Sequence, residues 1–243
     1  MSELIARWPA PQNIRALATT RTTGASLGAF ANNNLALHVG DEATHVQQNR
    51  ARLIQTLSLP SEPAWLHQTH SNRCVIVEDE TSRDADAAIT RKTAQPLAIM
   101  TADCLPIVLC DTAGTEIAAI HAGWRGLLNG IVENTLDKMH ANPNTLMAWI
   151  GPAMCGRCYA TGEDVRKAYT ARYPLTTDQA FHQIGAQWYA DLPRLAELIL
   201  NTRGIFAVYP SGACTYEQND TFYSYRRHAE TGRIATLIWL TPE

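Results

Sequence analysis

Long apolar runs, blocks of basic charge and glycine loops for nucleotides are all missing from this 243-residue chain. No apolar stretch approaches the roughly 20 residues that a membrane-spanning helix needs, so no membrane partner is expected. The net charge is −3 and no arginine- or lysine-rich block occurs, which argues against nucleic acid as a partner. Neither GxGxxG nor GxxxxGK[ST] is present, and a Rossmann or P-loop phosphate site therefore has no support. The first residues, MSELIARWPAPQN, lack the basic-then-apolar order of a signal peptide, so the expected address is cytoplasmic. Without such a signal, the six cysteines are expected as thiols or metal ligands rather than disulfides. No two of the eight histidines are spaced HxH, which disfavours the histidine clusters of a multicopper oxidase.

Apolar residues, by contrast, make up 46% of the chain, enough for one large core or two intimate subdomains. Strand-like and helix-like segments alternate irregularly, and no repeat or linker interrupts them. That order predicts an α+β protein with mixed sheets and packed helices.

The most informative stretch runs from Gln95 to Gly126. Two apolar runs, Pro106 to Cys110 and Ile117 to Ile120, flank the turn-rich group Asp111-Thr112-Ala113-Gly114-Thr115. This pattern predicts a β-hairpin. A turn centred on Thr112 and Ala113 would set Cys104 opposite His121, and a different turn would slip that register.

Helical spacing of Val46, Leu53, Ile54 and Leu57 predicts a helix from about Ala43 that Pro60 and Pro63 end. Arg50 falls at the edge of its buried face and reads by itself as a solvated charge. Ala64 to His70 reads as a strand running into a loop. Strand alternation then puts His67 and His70 on opposite faces, so at most one of them should join a given site. Leu127, Leu128, Ile131, Val132, Leu136 and Met139 predict one amphipathic helix. Further helices are expected over about 162–173 and 188–202, with strands at Leu146 to Ile150, Phe206 to Tyr209 and Ile234 to Leu240.

Cys104 and His121 are candidates for two of the three protein ligands that a catalytic zinc site usually takes, and His70 would complete a His₂Cys set if its strand end abuts the hairpin. Such donors suit zinc and also copper. Asp103, beside the thiol, is a candidate for orienting a ligand or moving protons, or a plain turn residue. Cys155-Gly156-Arg157-Cys158 is a CxxC without a second CxxC, and it reads as a loop carrying two thiols, with redox or metal chemistry as the minor alternative. Cys74, Cys110 and Cys214 read as structural. The segment Phe222 to Arg227 fits either a base-stacking, anion-holding surface or an ordinary strand edge.

Several motifs together carry a family resemblance. They include Thr20-Arg21, Asn34-Leu35, Asn49-Arg50, His67-Gln68-Thr69-His70, Ala85-Asp86-Ala87, Thr101-Ala102-Asp103-Cys104-Leu105-Pro106, His121-Ala122-Gly123-Trp124-Arg125-Gly126 and Ser224-Tyr225-Arg226-Arg227. The chain resembles the YfiH-type family, variously called polyphenol oxidase, peptidoglycan editing factor and purine nucleoside phosphorylase. The resemblance implies one domain over residues 1–243 with layered mixed sheets and a zinc on His70, Cys104 and His121. It implies phosphorolysis of adenosine, inosine and methylthioadenosine, and deamination of adenosine. Cys104, His121 and Asp103 are the expected catalytic residues, and Asn34, Arg50 and Arg226 the expected contacts to nucleoside and phosphate. Many members carry a Glu after the aromatic residue that follows Gly151-Pro152. This chain has Ala160 after Tyr159, with Glu163 nearby.

Three other readings compete with nucleoside chemistry. A metal-free hydrolase or amidase would use Cys104 as nucleophile and His121 as base, with a muramyl-peptide precursor as substrate. A copper phenol oxidase would use the same ligands, and a binding module would not need them.

Overall fold

The computed structural model describes residues 3–241. Its centre is the expected hairpin. Leu105–Asp111 and Ile117–Ala122 are apolar almost throughout, and every residue of both strands is buried. Two different surfaces cover them. Leu105, Ile107 and Leu109, with Ala118, Ile120 and Ala122, face a core capped by helices Ile131–Leu136 and Leu192–Thr202. Val108, Cys110, Ile117 and Ala119 face a second sheet and pack with Ala16, Leu97, Ile99 and Ile238. Burial on both faces is why these strands read as continuous apolar runs instead of alternating ones.

The hairpin is the middle of a six-stranded sheet. Its order is Ala207–Pro210, Leu146–Ile150, Leu105–Asp111, Ile117–Ala122, Ala87–Thr90 and Cys74–Ile76. The facing sheet has five strands in the order Glu3–Ile5, Ile14–Thr19, Ile234–Leu240, Leu97–Thr101 and Ala64–Trp65. Leu17, Ala98, Leu237 and Trp239 on its outer side receive Leu53 of the helix Ala43–Leu57. The layers are therefore helix, sheet, sheet, helices, and the α+β expectation holds. Among the described residues no helix is long and apolar enough to cross a membrane.

The hairpin register differs from the expected one by two residues. Pro106, not Cys104, is opposite His121, and Leu105 is opposite Ala122. The turn is the reason. Asp111 accepts from Thr115 N at 2.7 Å, Glu116 N at 2.9 Å and Thr115 Oγ1 at 2.7 Å, while Gly114 takes a left-handed φ of 67°. An aspartate folded over its own loop moves the turn one residue along. A shift of two keeps every side chain on its face. Cys104 therefore lies just beyond the ladder, next to Gly123.

Three other expectations change. The single helix after His121 is two short ones, Trp124–Leu128 and Ile131–Leu136, because Gly130 adopts φ 88° between them. The helix expected from 188 begins at Leu192, where Asp191 accepts from Arg194 N. Gln187–Ala190 instead pairs with Phe181–Ile184 and Ala160–Thr161 in a small third sheet. The strand running into a loop over 64–70 is strand only at Ala64–Trp65, so strand alternation does not reach His67 and His70.

Candidate active site

His70, Cys104 and His121 come from three separate places and converge. One ligand atom from each lies within 4.8 Å of the others. Cys104 Sγ is 3.6 Å from His70 Nε2. The two imidazole rings meet edge to face, with centroids 4.8 Å apart. His121 is buried at the end of its strand, Cys104 keeps a partly open surface, and His70 is exposed. His67 points elsewhere, to Asp84 at 2.9 Å, so one histidine of the HxxH joins the site and the other does not.

The convergence depends on Asp86, whose placement the motif in the sequence did not explain. Asp86 is fully buried at the start of strand Ala87–Thr90. Its Oδ1 accepts from His121 Nδ1 at 2.7 Å and from His70 N at 3.0 Å. Its Oδ2 accepts from Thr69 N at 3.2 Å, Ser71 N at 2.6 Å and Ser71 Oγ at 2.7 Å. One carboxylate thus orients one imidazole and holds the backbone that presents the other. His70 has φ 61°, an unusual conformation for a bulky residue, which these bonds offset. Gln68 fixes the same loop from the other side. It donates to Met100 O and accepts from Met100 N, both at 2.8 Å. The sequence signal for Asp86 was a charged residue heading an otherwise buried apolar strand.

Electrostatics follow from this packing. Burial disfavours the Asp86 carboxylate, yet hydrogen bonds from His121 and Ser71 outweigh it and hold the group down at about 2. Burial likewise opposes a charged His121, but Asp86 and Cys104 raise it to about 9. For Cys104, burial raises the thiol while His121 and His70 bring it down to about 6. With His121 Nδ1–H held by a carboxylate, Nε2 is left as the ligand atom, an arrangement typical of metal-binding histidines. The donor set fits a zinc or copper ion.

Gly123 permits the approach. A Cβ there would lie 2.8 Å from His70 Cδ2 and 3.2 Å from Cys104 Sγ.

These ligands open into a cavity of about 500 Å³. Trp124, Tyr159 and Tyr225 supply aromatic walls, and Arg125, Arg226 and Arg233 supply positive charge. The arginines spend their contacts on carbonyls and rings. Arg226 donates to Ala160 O at 2.9 Å and lies over Tyr159, Arg233 donates to Thr231 O and Gly232 O, and Arg125 lies over Trp124. Asp103 lines the cavity at φ 91°. It accepts from Thr215 Oγ1 at 2.6 Å, Ser224 Oγ at 2.9 Å and Arg226 N at 2.7 Å. It therefore fastens the turn that carries Tyr225 and Arg226 to the cavity. Phe222 and Tyr223 of that same aromatic segment are instead core residues.

The remaining sequence candidates lie outside the cavity lining. Asn34 is fully buried. Its Nδ2 donates to Asp41 Oδ2 at 2.9 Å, and its Oδ1 accepts from Ala36 N and Arg233 N. It sits behind Arg233 as a brace. Arg50 lies behind Met100, 4.0 Å over the Trp65 ring, and donates to Leu35 O. Burial lowers its pKa, so it is not the freely solvated charge that helix position alone suggests. Glu163 pairs with Lys167 on the surface and does not line the cavity.

Two imidazoles and a thiol that could hold a metal ion thus meet at a hairpin end of an α+β protein, backed by a buried carboxylate and open to an arginine-lined cavity. The chain belongs to the family described as multi-copper polyphenol oxidoreductase laccase, whose model matches residues 15–241. It is 42% identical to the Escherichia coli K12 protein named purine nucleoside phosphorylase YfiH, across 99% of this chain and 100% of that one. A Pseudomonas aeruginosa protein that is also named a purine nucleoside phosphorylase is 41% identical over 96% of each chain. The crystal structure of a Neisseria meningitidis protein matches with a TM-score of 0.95 at 43% identity, covering both chains completely. That of YlmD from Geobacillus stearothermophilus matches at 0.89 and 29% identity, over 96% of this chain and 94% of that one. The YfiH-type resemblance is thereby established.

Proposed function

We propose that the protein is a zinc-dependent purine nucleoside phosphorylase that also deaminates adenosine. Its substrates in this reading are adenosine, inosine and S-methyl-5'-thioadenosine, each with inorganic phosphate. The observation that carries the proposal is one cavity joining a His₂Cys ligand set to three arginines and three aromatic rings. The names of the Escherichia coli and Pseudomonas aeruginosa relatives support the phosphorylase part of this reading.

The side chains divide the work. Arg125, Arg226 and Arg233 suit a phosphate, which guanidinium groups bind through paired N–H donors. Trp124, Tyr159 and Tyr225 suit the flat face of a purine. Burial pushes the Tyr159 phenol up to about 12, so it remains a hydrogen-bond donor at neutral pH. His38 also lines the cavity, and burial with the charge of Arg233 lowers its pKa. A neutral imidazole there can hydrogen-bond the base edge. In phosphorolysis a phosphate oxygen joins C1′, the bond from C1′ to the base breaks, and the departing base takes a proton. Asp103 serves as a positioning residue, since it holds Arg226. His70, Cys104 and His121 would hold zinc, with copper as the alternative on the same ligands. An ion there would supply Lewis acidity to both reactions and, for deamination, an activated water.

The test is base release from adenosine with and without phosphate. The proposal expects release that depends on phosphate, together with an equal amount of ribose 1-phosphate. Release that ignores phosphate would reject it.

A second reading has one observation in its favour. Cys104, two imidazoles and Asp86 form a thiol–imidazole–carboxylate chain with the thiol at about 6. That is the order of a Cys-His hydrolase or amidase. Full activity on an amide substrate after complete metal removal would select it.

A further inference from the structure

The CxxC loop is not isolated in space. Cys158 N and Tyr159 N both donate to Cys155 O at 3.0 Å, which closes a tight turn. Alongside runs the segment that contains Cys214. Ala153 and Cys214 form a parallel bridge, with Ala153 N donating to Ala213 O and Thr215 N to Ala153 O. Cys155 N donates to the Cys214 sulfur at 3.4 Å. Glu217 Oε1 lies 3.7 Å from Cys155 Sγ and 3.5 Å from Cys158 Sγ. One donor atom from each of Cys155, Cys158, Cys214 and Glu217 lies within 4.8 Å of all the others. None of these residues lines the cavity described above.

We propose that Cys155, Cys158, Cys214 and Glu217 form a second metal site that takes a thiophilic divalent cation, zinc in particular, and has a structural role. Tetrahedral zinc with bonds of about 2.3 Å to sulfur and 2.0 Å to oxygen sets its ligand atoms roughly 3.5–3.8 Å apart. The two sulfur–oxygen separations at Cys155 and Cys158, 3.7 and 3.5 Å, already match that spacing. Three thiols and one carboxylate fill four positions and leave none for a substrate, which is the pattern of structural sites. Binding displaces three thiol protons to solvent. Three thiolates and a carboxylate around a divalent ion leave two negative charges. Arg157 Nη2, 3.1 Å from both Glu217 oxygens, offsets one.

The site's position explains its use. Met154 and Tyr159 flank the CxxC, and both line the cavity. Thr215, next to Cys214, donates to Asp103. A cation at the four residues would clamp the two loops that carry these groups. Within the loop 151–161 only Ala160 and Thr161 belong to a strand.

The test starts from the full chain carrying His70→Ala and Cys104→Ala, which removes the cavity ligands. This protein is expected to retain about one equivalent of zinc after dialysis. Loaded with cobalt(II), it should show thiolate-to-cobalt charge-transfer absorption in the near ultraviolet. Adding Cys158→Ser should abolish both signals, and Glu217→Gln, at an exposed position, should weaken zinc binding without altering the circular dichroism. Retention of zinc and cobalt absorption after Cys158→Ser would overturn the proposal. So would a double variant with no zinc and no cobalt band, or mass spectra of freshly purified protein showing a Cys155–Cys158 disulfide in place of the metal.

Discussion

Asp86 and His121 share a 2.7 Å hydrogen bond between a carboxylate and an imidazole that are both buried, and the same carboxylate carries the backbone of residues 69–71. Two histidines distant in sequence are thus positioned by one aspartate. Its replacement should therefore damage the centre twice. Asp86→Ala is expected to weaken zinc binding at the cavity ligands by about 10- to 100-fold. Asp86→Asn, which keeps an acceptor but loses the charge, should fall between. Competition with a chromophoric chelator in a Cys158→Ser background reads the cavity ion alone. Unchanged affinity in Asp86→Ala would remove this aspartate from the account.

Gly123 makes a different contribution, which is space. Its φ of −59° suits any residue, so Gly123→Ala carries no backbone strain. The added methyl would instead press on His70 and Cys104 at 2.8 and 3.2 Å. The variant should fold with a melting temperature close to that of the parent and yet hold markedly less zinc at the cavity ligands. Normal metal content would show that the ligands can spread without cost.

Thiol chemistry separates the cysteines. In metal-stripped protein Cys104 sits at about 6, whereas burial pushes Cys74 up to about 11 and Cys110 to about 12. The thiolate is the reactive form. At pH 7 iodoacetamide should label Cys104 well ahead of Cys74 and Cys110, and the rate should fall as pH drops through about 6. Zinc should protect the thiol. Peptide mapping after short exposures reads each site, and slow labelling of Cys104 at pH 7 would contradict the geometry.

The arginines test the phosphate side. Arg226→Ala should raise KM for phosphate by about 10-fold or more, the loss of a charge-assisted hydrogen bond. KM for the nucleoside should change less. Steady-state kinetics with each substrate varied in turn checks this. A rise confined to the nucleoside would move Arg226 to the base or sugar.

Much of this architecture was legible in the sequence. The hairpin showed itself because both strands are buried on both faces and so are apolar without interruption. Its register was not legible, because Asp111 wraps its own turn through side-chain bonds that propensity does not report. Cys104 and His121 could be read as neighbours either way, since a shift of two preserves the face. The amphipathic stripe from Leu127 to Met139 looked like one helix, and only the positive φ of Gly130 divides it. His70 was a candidate third donor from its residue type and from the family motifs, but its place beside Cys104 was not legible. Its physical cause lies in Asp86 and in the Gln68–Met100 bonds, which are long-range contacts that no local pattern encodes. Cys214 read as an isolated structural cysteine for a similar reason. It meets the CxxC only through a bridge between two loops.

In the proposed function, the ion held by His70, Cys104 and His121 is required for phosphorolysis in the cavity beside it. The most direct measurement is the rate of phosphate-dependent adenine release from adenosine by zinc-loaded protein, metal-stripped protein and Cys104→Ala. Stripped protein and Cys104→Ala should both lose most of the rate, and zinc should restore only the former. Equal rates for the zinc-loaded protein and Cys104→Ala would contradict the claim.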